Sequence, residues 1–173
     1  GEIWLDHKPL HKMKSHEAAG NGIALVPEDR RIIPGLTVEE NLQLAQIQPP
    51  IGWSIERLYD LFPRLGERRR QEGVTLSGGE QQMLAIARAL ARDIKVLLLD
   101  EPTHGFDPMQ VLAFRDTLRS LRENRAILFS THIIGDVEAI SDRVLIIHQG
   151  RLLGDGRVQD LAERACIPGA GLE

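Results

Sequence analysis

The sequence predicts an α/β protein with a parallel sheet that carries helices on both faces. Between residues 79 and 165, continuous apolar segments alternate with segments whose apolar residues recur at helical spacing. Continuous apolar strands are typical of parallel sheets, because helices cover both faces of such sheets. Residues 30–92 show helical patterns without a buried strand, which predicts a helical lobe on a sheet core of residues 1–29 and 93–173.

The composition is ordinary for a soluble globular domain. Of the 173 residues, 42% are apolar and 27% are charged. The formal net charge of −4 argues against nucleic acid as a partner, since a domain that binds it is usually basic. The apolar runs are far too short to span a membrane. Cys166 is the single cysteine, which excludes an internal disulfide.

Strand and helix signals follow one another along the chain. We expect strands at residues 2–6, 22–27, 95–100, 126–130, 143–148 and 151–154. Thr37 and Glu40 have the spacing of a capping box, and Ser54 opens the next helix. Further helices are expected over residues 79–92 and 157–165, with two more around apolar stripes of residues 111, 114, 118 and 121 and of residues 133, 137 and 140. The helix over residues 79–92 should carry one apolar face, made of Met83, Ile86, Ala87, Leu90 and Ala91. The charged segment 64–74 is expected to be a solvated connection.

Two adjacent carboxylates follow the apolar run of residues 96–99. Ligands of a parallel sheet bind beyond the carboxyl ends of its strands, where Asp100 and Glu101 are expected. Successive strand residues point in opposite directions, so the two acids should have different tasks. One could hold hydrated Mg²⁺ and the other could deprotonate an attacking water. Taken alone, such a pair is more often a strand end whose acids are merely solvated.

Two more segments have the chemistry of a phosphate site. The segment TLSGGEQQ (75–82) places two glycines before a helix, whose first N–H groups favour an anion. The segment STH (130–132) ends a strand with two hydroxyls and an imidazole, which could reach a phosphate. Each segment alone has a simpler explanation, an ordinary N-cap at Ser77 and a surface histidine at His132.

Together and in this order, these segments resemble the ATP-binding cassette of ABC transporters. LSGGE (76–80) is similar to the family's signature motif, and VLLLDEP (96–102) to its Walker B motif with the following glutamate. GFDP (105–108) resembles the D-loop, and Thr131-His132 resembles the switch histidine. The segment 24–42 resembles the sensor loop and the helix after it. The resemblance covers essentially the whole chain and implies a P-loop NTPase-like fold.

The resemblance also implies ligands and residue roles. ATP and Mg²⁺ would be the cofactors, with Asp100 holding the metal through water and Glu101 as general base. His132 would contact the γ-phosphate, and Asp107 would couple two sites. The segment Ser77, Gly78, Gly79 and Glu80 would close over ATP bound to a second cassette. Glu28 stands where the family's sensor loop usually carries glutamine, and it would face both nucleotide and metal.

Two features depart from the family pattern. The phosphate-binding motif G-x-x-x-x-G-K-S/T is absent, and none of the four lysines, at positions 8, 12, 14 and 95, follows a glycine. The chain is therefore expected to be a cassette truncated at its N-terminus. Residues 1–101 resemble the ATP-binding subunits of branched-chain amino-acid importers, whereas the remainder resembles the cassettes of ABC-2 type exporters. A recombined chain and a divergent relative would both produce such a change.

The resemblance implies a subunit that energises transmembrane transport, and import of branched-chain amino acids is the leading hypothesis. An ABC-2 type exporter subunit and a folded fragment without turnover are the alternatives. The implied partners are a second cassette, arranged head to tail as a homo- or heterodimer, and transmembrane permease subunits. The implied location is the cytoplasmic face of the cell membrane, where the protein would be peripheral.

We expect the 173-residue chain alone to be catalytically silent. The backbone amides and the lysine of the missing motif cradle the phosphates in such enzymes. Phosphate release with Mg²⁺ and ATP is the measurement, and turnover of about 1 per second or more, a common enzymatic rate, would contradict the expectation. An added N-terminal segment that carries the motif should restore activity.

Overall fold

The computed structural model describes residues 1–47, 52–122 and 125–165, so Cys166 lies outside the described residues. The chain divides into two compact units, residues 1–130 and residues 131–173. The first unit begins with two short antiparallel strands, β1 (Trp4–Leu5) and β2 (Lys8–Pro9). Asp6 and His7 between them both have positive φ, at 47° and 64°, as a tight two-residue hairpin requires. The strand predicted at residues 2–6 is therefore shorter than expected.

A three-stranded parallel sheet forms the centre of the first unit, which confirms the predicted α/β class. After helix α1 (Ser15–Gly20) come β3 (Ile23–Val26), β4 (Val96–Asp100) and β5 (Ala126–Ser130), in the order β3-β4-β5. Leu97 and Leu99 of β4 are buried. On the opposite face, Leu25 is 63% exposed and Leu128 is 58% exposed. Helices on both faces were expected, but this face is open to solvent at Leu25 and Leu128.

Four helices lie between β3 and β4. They are α2 (Val38–Ala45), α3 (Ile55–Leu61), α4 (Pro63–Glu67) and α5 (Gly78–Leu90). Thr37 caps α2 and forms the predicted capping box with Glu40, and both the amide and the hydroxyl of Thr37 lower the pKa of the Glu40 carboxyl. Ser54 caps α3 as predicted.

The charged segment 64–74 is more than the solvated connection that its composition predicted. It contains most of α4, and a 3₁₀ turn, Gly73–Thr75, begins at its end. Leu65 and Gly73 are buried within it. A Cβ atom at Gly73 would lie 2.8 Å from the Ile32 side chain and 3.1 Å from that of Leu84, so glycine permits a close approach there. The apolar contacts of these few residues fix the segment against α5.

Helix α5 is the most deeply buried helix of the first unit and packs against α2 and β3. Of its predicted apolar face, Ile86, Ala87, Leu90 and Ala91 are buried and Met83 is half-buried. Leu84, Ala85 and Ala89 are buried as well. Helix α6 (Pro108–Leu121) follows β4 and buries Phe114, Leu118 and Leu121, which are three of the four residues of its predicted stripe. Burial on several sides makes α5 the helix around which this unit is organised.

The second unit contains α7 (Ile134–Ile140), β6 (Val144–His148), β7 (Arg151–Gly156) and α8 (Val158–Ala165). Both strands were predicted, but they pair with each other as an antiparallel hairpin instead of joining a parallel sheet. Only Gln149 and Gly150 connect them, both with positive φ, at 48° and 75°. A parallel crossover needs a dozen or more residues, so this short connection dictates a hairpin. Among the described helices of both units, none is long and apolar enough to cross a bilayer.

The segment that enters α3 is fixed against the end of α5. Gly52 donates to the Ala91 carbonyl at 2.9 Å, and Trp53 donates to the Leu90 carbonyl at 3.0 Å. The Trp53 ring then lies between two guanidinium groups, those of Arg57 and Arg125, at 3.8 and 5.0 Å from its centroid. Burial lowers the pKa of Arg125, and the nearby Arg57 charge lowers it further.

We expect Gly52→Ala to destabilise the first unit. A Cβ atom at position 52 would lie 2.2 Å from the Arg92 carbonyl oxygen and 2.5 Å from that of Leu90, so backbone has to move. Overpacking of this kind costs about 1–3 kcal/mol. Gly20→Ala is the matched control, because nothing lies within 4 Å of its Cβ position. Urea unfolding measures both, and equal midpoints for the two variants would contradict the close approach at Gly52.

Candidate nucleotide site

The carboxyl end of β4 carries both predicted acids, and the register of the sheet fixes the first of them. Asp100 lies opposite Ser130 of β5. The Ser130 hydroxyl donates to Oδ1 of Asp100 at 2.6 Å, a length typical of a strong O–H···O⁻ hydrogen bond. The Asp100 carboxylate is exposed at the end of its strand and is held there by a neighbouring strand.

Glu101 begins a tight turn directly after β4. Its φ is 43°, in the left-handed region that residues other than glycine seldom adopt. The Glu101 amide donates to the Ser130 carbonyl at 3.1 Å, and the Glu101 carbonyl accepts from the His104 amide at 3.1 Å. The turn of residues 101–104 is therefore hydrogen-bonded to β5 at its first residue, and a hydrogen bond between its first and last residues closes it.

Glu28 lies after β3 and is paired with a histidine that the sequence analysis did not select. Nδ1 of His104 lies 2.5 Å from Oε1 of Glu28. Arg30, two residues further on, donates from Nη2 to the His104 carbonyl at 3.0 Å. These residues, together with Asp29 and Gly105, line an open cavity of about 420 Å³. The structure thus joins the predicted sensor segment to the turn that follows the two acids.

The predicted signature segment forms the start of α5. Ser77 is the N-cap, its hydroxyl accepts from the Glu80 amide at 3.3 Å, and Glu80 accepts from the Ser77 amide at 3.0 Å. The Glu80 carboxylate also pairs with Arg68 at 3.1 Å. The capping box leaves Gly78 and Gly79 in the first turn of α5, where Gly78 is half-buried and Gly79 is buried.

Asp107 caps α6 and lies close to the signature segment through one shared neighbour. The Asp107 carboxylate accepts from the Gln110 amide at 2.9 Å, and the Gln110 side chain accepts from the Asp107 amide at 3.3 Å. A Cβ atom at Gly79 would lie 2.6 Å from the Gln110 side chain. A cavity of about 380 Å³ opens beside Gly79, between α4, α5 and α6. Two segments predicted to act in the nucleotide site are therefore packed against each other.

His132 belongs to the second unit, in the segment between β5 and α7. Its side chain is exposed, and the neighbouring Thr131 hydroxyl accepts from the Ile133 amide at 3.0 Å. The first unit thus contains Glu28, Asp100, Glu101, Asp107 and the residues 77–80, and His132 lies outside it.

The residues that were expected to hold Mg²⁺ suit a water-mediated site. No group of three or more His, Cys, Asp or Glu side chains is arranged for a metal within the part of the chain that the structure describes. Mg²⁺ in nucleotide sites uses one or two carboxylates, waters and phosphate oxygens, so a larger group is not needed. Ser130 occupies Oδ1 of Asp100, and Oδ2 is the oxygen that could accept from a metal-bound water. One oxygen of Glu28 is already taken by His104.

Ser130, His104 and Arg30 are the site residues that sequence reasoning missed. Ser130 was visible as a hydroxyl at a strand end, but its pairing with Asp100 depends on the strand order. His104 lies between the segments VLLLDEP (96–102) and GFDP (105–108), and its imidazole suggested no partner there. Arg30 follows Glu28 in a turn with positive φ, at 59°, which the sequence does not indicate for arginine.

Comparison with known proteins agrees with this arrangement. A protein-family profile described as ABC transporter matches residues 1–104. The chain is 36% identical over 157 residues to the high-affinity branched-chain amino acid transport ATP-binding protein BraG of Pseudomonas aeruginosa, covering 88% of this chain and 67% of that protein. It is 32% identical over 170 residues to the lipopolysaccharide export system ATP-binding protein LptB of Escherichia coli, covering 94% of this chain and 70% of that protein.

A solved structure supports the fold independently. The dimeric structure of an ATP-binding cassette in a post-hydrolysis state, bound to ADP and Pi, matches with a TM-score of 0.78 and 24% identity, covering 91% of this chain and 73% of that chain. At this identity the likeness concerns the fold alone. The sequence relatives and the match to the family profile establish the family. The chain belongs to the ATP-binding cassettes of ABC transporters, a family of ATPases.

Proposed function

We propose that this chain forms the catalytic edge and the signature segment of a subunit that energises import of branched-chain amino acids. The observation that carries the ATPase part is the edge of the sheet, where Ser130 holds Asp100 beside the turn that begins at Glu101. The similarity to BraG over most of the chain favours the substrate class.

In this proposal Asp100 holds Mg²⁺ through water. The metal would neutralise charge on the phosphate oxygens of bound ATP. The Ser130 hydroxyl orients Asp100 by donating to Oδ1, which leaves Oδ2 as the oxygen proposed to accept from a metal-bound water. Glu28 approaches the same nucleotide from the end of β3. We propose that both residues bind the cofactor, with Asp100 as the nearer ligand of the metal.

Glu101 is the proposed general base. A carboxylate in this position can take a proton from the water that attacks the γ-phosphate. The turn holds the Glu101 backbone by hydrogen bonds on both sides, to Ser130 and to His104. A base on such a fixed backbone needs little reorganisation when the nucleotide is bound. His132 is proposed to contact the γ-phosphate, as the family resemblance implies.

The start of α5 is proposed to contact ATP bound to a second cassette. Ser77, Gly78, Gly79 and Glu80 present a helix N-terminus, whose N–H groups and dipole favour phosphate. Asp107 would couple the two sites, and the packing of Gln110 on Gly79 provides a direct route for that coupling. We propose a head-to-tail dimer of cassettes on transmembrane permease subunits, at the cytoplasmic face of the membrane.

Export is the second candidate function, and two observations favour it. LptB, the ATP-binding protein of a lipopolysaccharide export system, is similar to 94% of this chain. The segment after Glu101 also resembles exporter cassettes in its D-loop and switch histidine. The catalytic roles above are the same in both cases, because substrate choice belongs to the permease and not to the residues of this site.

We expect Glu101→Gln to abolish turnover while ATP binding persists. The test uses a fusion in which a segment with the G-x-x-x-x-G-K-S/T loop precedes Gly1. Glutamine keeps the shape of the side chain but cannot accept the proton, so kcat should fall by about 100-fold or more. Isothermal titration with ATP measures binding separately. Lost ATP binding with unchanged turnover per bound nucleotide would give Glu101 a structural role.

We expect the same fusion to restore leucine uptake in Pseudomonas aeruginosa cells that lack BraG. Uptake of labelled leucine is the measurement, and the Glu101→Gln fusion is the inactive control. Active ATP hydrolysis without uptake would contradict amino-acid import. If expression of the fusion then supported growth of Escherichia coli cells depleted of LptB, the exporter hypothesis would be favoured.

A further inference from the structure

We propose that His104 is a positioning residue, which couples the position of the Glu28 side chain to the position of the Glu101 backbone. Arg30 holds His104 in place. The inference rests on the proposed function of Glu101 as general base. It changes the role of Glu28, which then acts on the reaction through His104 as well as through the nucleotide. No motif of the family draws attention to the imidazole, and the contacts of this structure do.

His104 connects two segments that come from different strands. Its side chain contacts Glu28, after β3, with 2.5 Å between Nδ1 and Oε1. Its backbone amide donates to the Glu101 carbonyl, after β4, at 3.1 Å. An ionised carboxylate only accepts hydrogen bonds, so Nδ1 carries the hydrogen. A displacement of Glu28 is therefore passed through one imidazole and one amide to the residue that is proposed to activate water.

Arg30 limits the freedom of this connection from the other side. Its Nη2 donates to the His104 carbonyl at 3.0 Å. Its guanidinium also lies against the signature segment, with Nη1 at 3.4 Å from the Cβ position of Gly78. His104 is thus held by its side chain, its amide and its carbonyl, which leaves the turn 101–104 few alternative positions.

The connection extends to Asp100 through hydrogen bonds of the same edge. The Glu101 amide donates to the Ser130 carbonyl, and the Ser130 hydroxyl donates to Asp100. The order of contacts is therefore Glu28, His104, Glu101, Ser130 and Asp100. Each neighbouring pair is joined by a direct hydrogen bond, so the predicted metal ligand and the predicted base share one network.

Because both side chains of the Glu28–His104 pair are largely exposed, the pair is expected to contribute little to the stability of the fold. The side chains of His104 and Glu28 are 65% and 51% exposed, and ion pairs of this kind contribute little to folding. Removal of the pair should therefore leave the chain folded. An effect of such a variant on the turn at Glu101 then reports the loss of positioning and not the loss of structure.

The first experiment measures the connection in the 173-residue chain by ¹H–¹⁵N NMR. We expect Glu28→Ala and His104→Ala to shift the backbone amide signals of residues 101 and 103–105 in the same direction. The double variant should add nothing further, because either single change already breaks the connection. Glu28→Gln should stay close to the unsubstituted chain, since its amide oxygen still accepts from Nδ1. Additive shifts, or an unmoved Glu101 signal in Glu28→Ala, would overturn the proposal.

Asp29→Ala is the matched control. Asp29 neighbours Glu28, carries the same charge and is 67% exposed, but its ion pair with Arg31, at 3.5 Å, stays within one loop. The amide signals of residues 101 and 103–105 should not move in this variant. Equal shifts in Asp29→Ala and Glu28→Ala would mean that loop charge, and not the contact with His104, moves the turn.

The second experiment measures ATP hydrolysis in the fusion that carries the phosphate-binding loop. We expect His104→Ala to lower kcat by about 10- to 100-fold, the scale for a misplaced catalytic group, with KM nearly unchanged. Coupled NMR signals with an unchanged kcat would overturn the positioning role. A fusion without any ATPase activity would count against the proposed function, and the NMR result would still decide whether His104 connects Glu28 to Glu101.

Discussion

The parallel register of β3, β4 and β5 is the constraint on which the site depends. Leu99 of β4 pairs with Val26 and with Phe129, so the chain leaves all three strands at the same edge. The next pair along β4 is Asp100 with Ser130, and their hydrogen bond exists only in this register. A slip of one residue would turn the buried Leu97 and Leu99 to the open face and separate the carboxylate from its hydroxyl. Core packing and site geometry are thus fixed by the same pairing.

The starts of α5 and α6 extend this edge with a second kind of constraint. Both helices begin with a capping box, Ser77 with Glu80 and Asp107 with Gln110. In each box the cap side chain satisfies helix N–H groups that would otherwise lack partners, so the helix begins at a defined residue. The glycine at position 79 lets the Gln110 side chain come close to the α5 backbone. Two helices that are well separated in sequence therefore start beside each other.

Local signals in the sequence were sufficient for most of the elements and for the family. The capping box of Thr37 and Glu40, the strands of the parallel sheet and most of the apolar stripe of α6 depend on residues within a few positions of one another, and the structure confirms them. Strands β6 and β7 were assigned to a parallel sheet, although the two-residue connection Gln149-Gly150 is too short for a parallel crossover. Periodicity identifies strands, but their pairing depends on the length of the connection between them.

The pairs that complete the site could not be predicted, because they join residues that are distant in sequence. Glu28 and His104 are 76 positions apart, and neither has a local partner that would indicate the other. The pair also answers a difficulty that the sequence raised, since a glutamate in place of glutamine adds negative charge near a phosphate site. The imidazole N–H of His104 offsets part of that charge and fixes one carboxylate oxygen. Position 28 therefore has to be understood together with position 104, because its carboxylate is paired with this histidine.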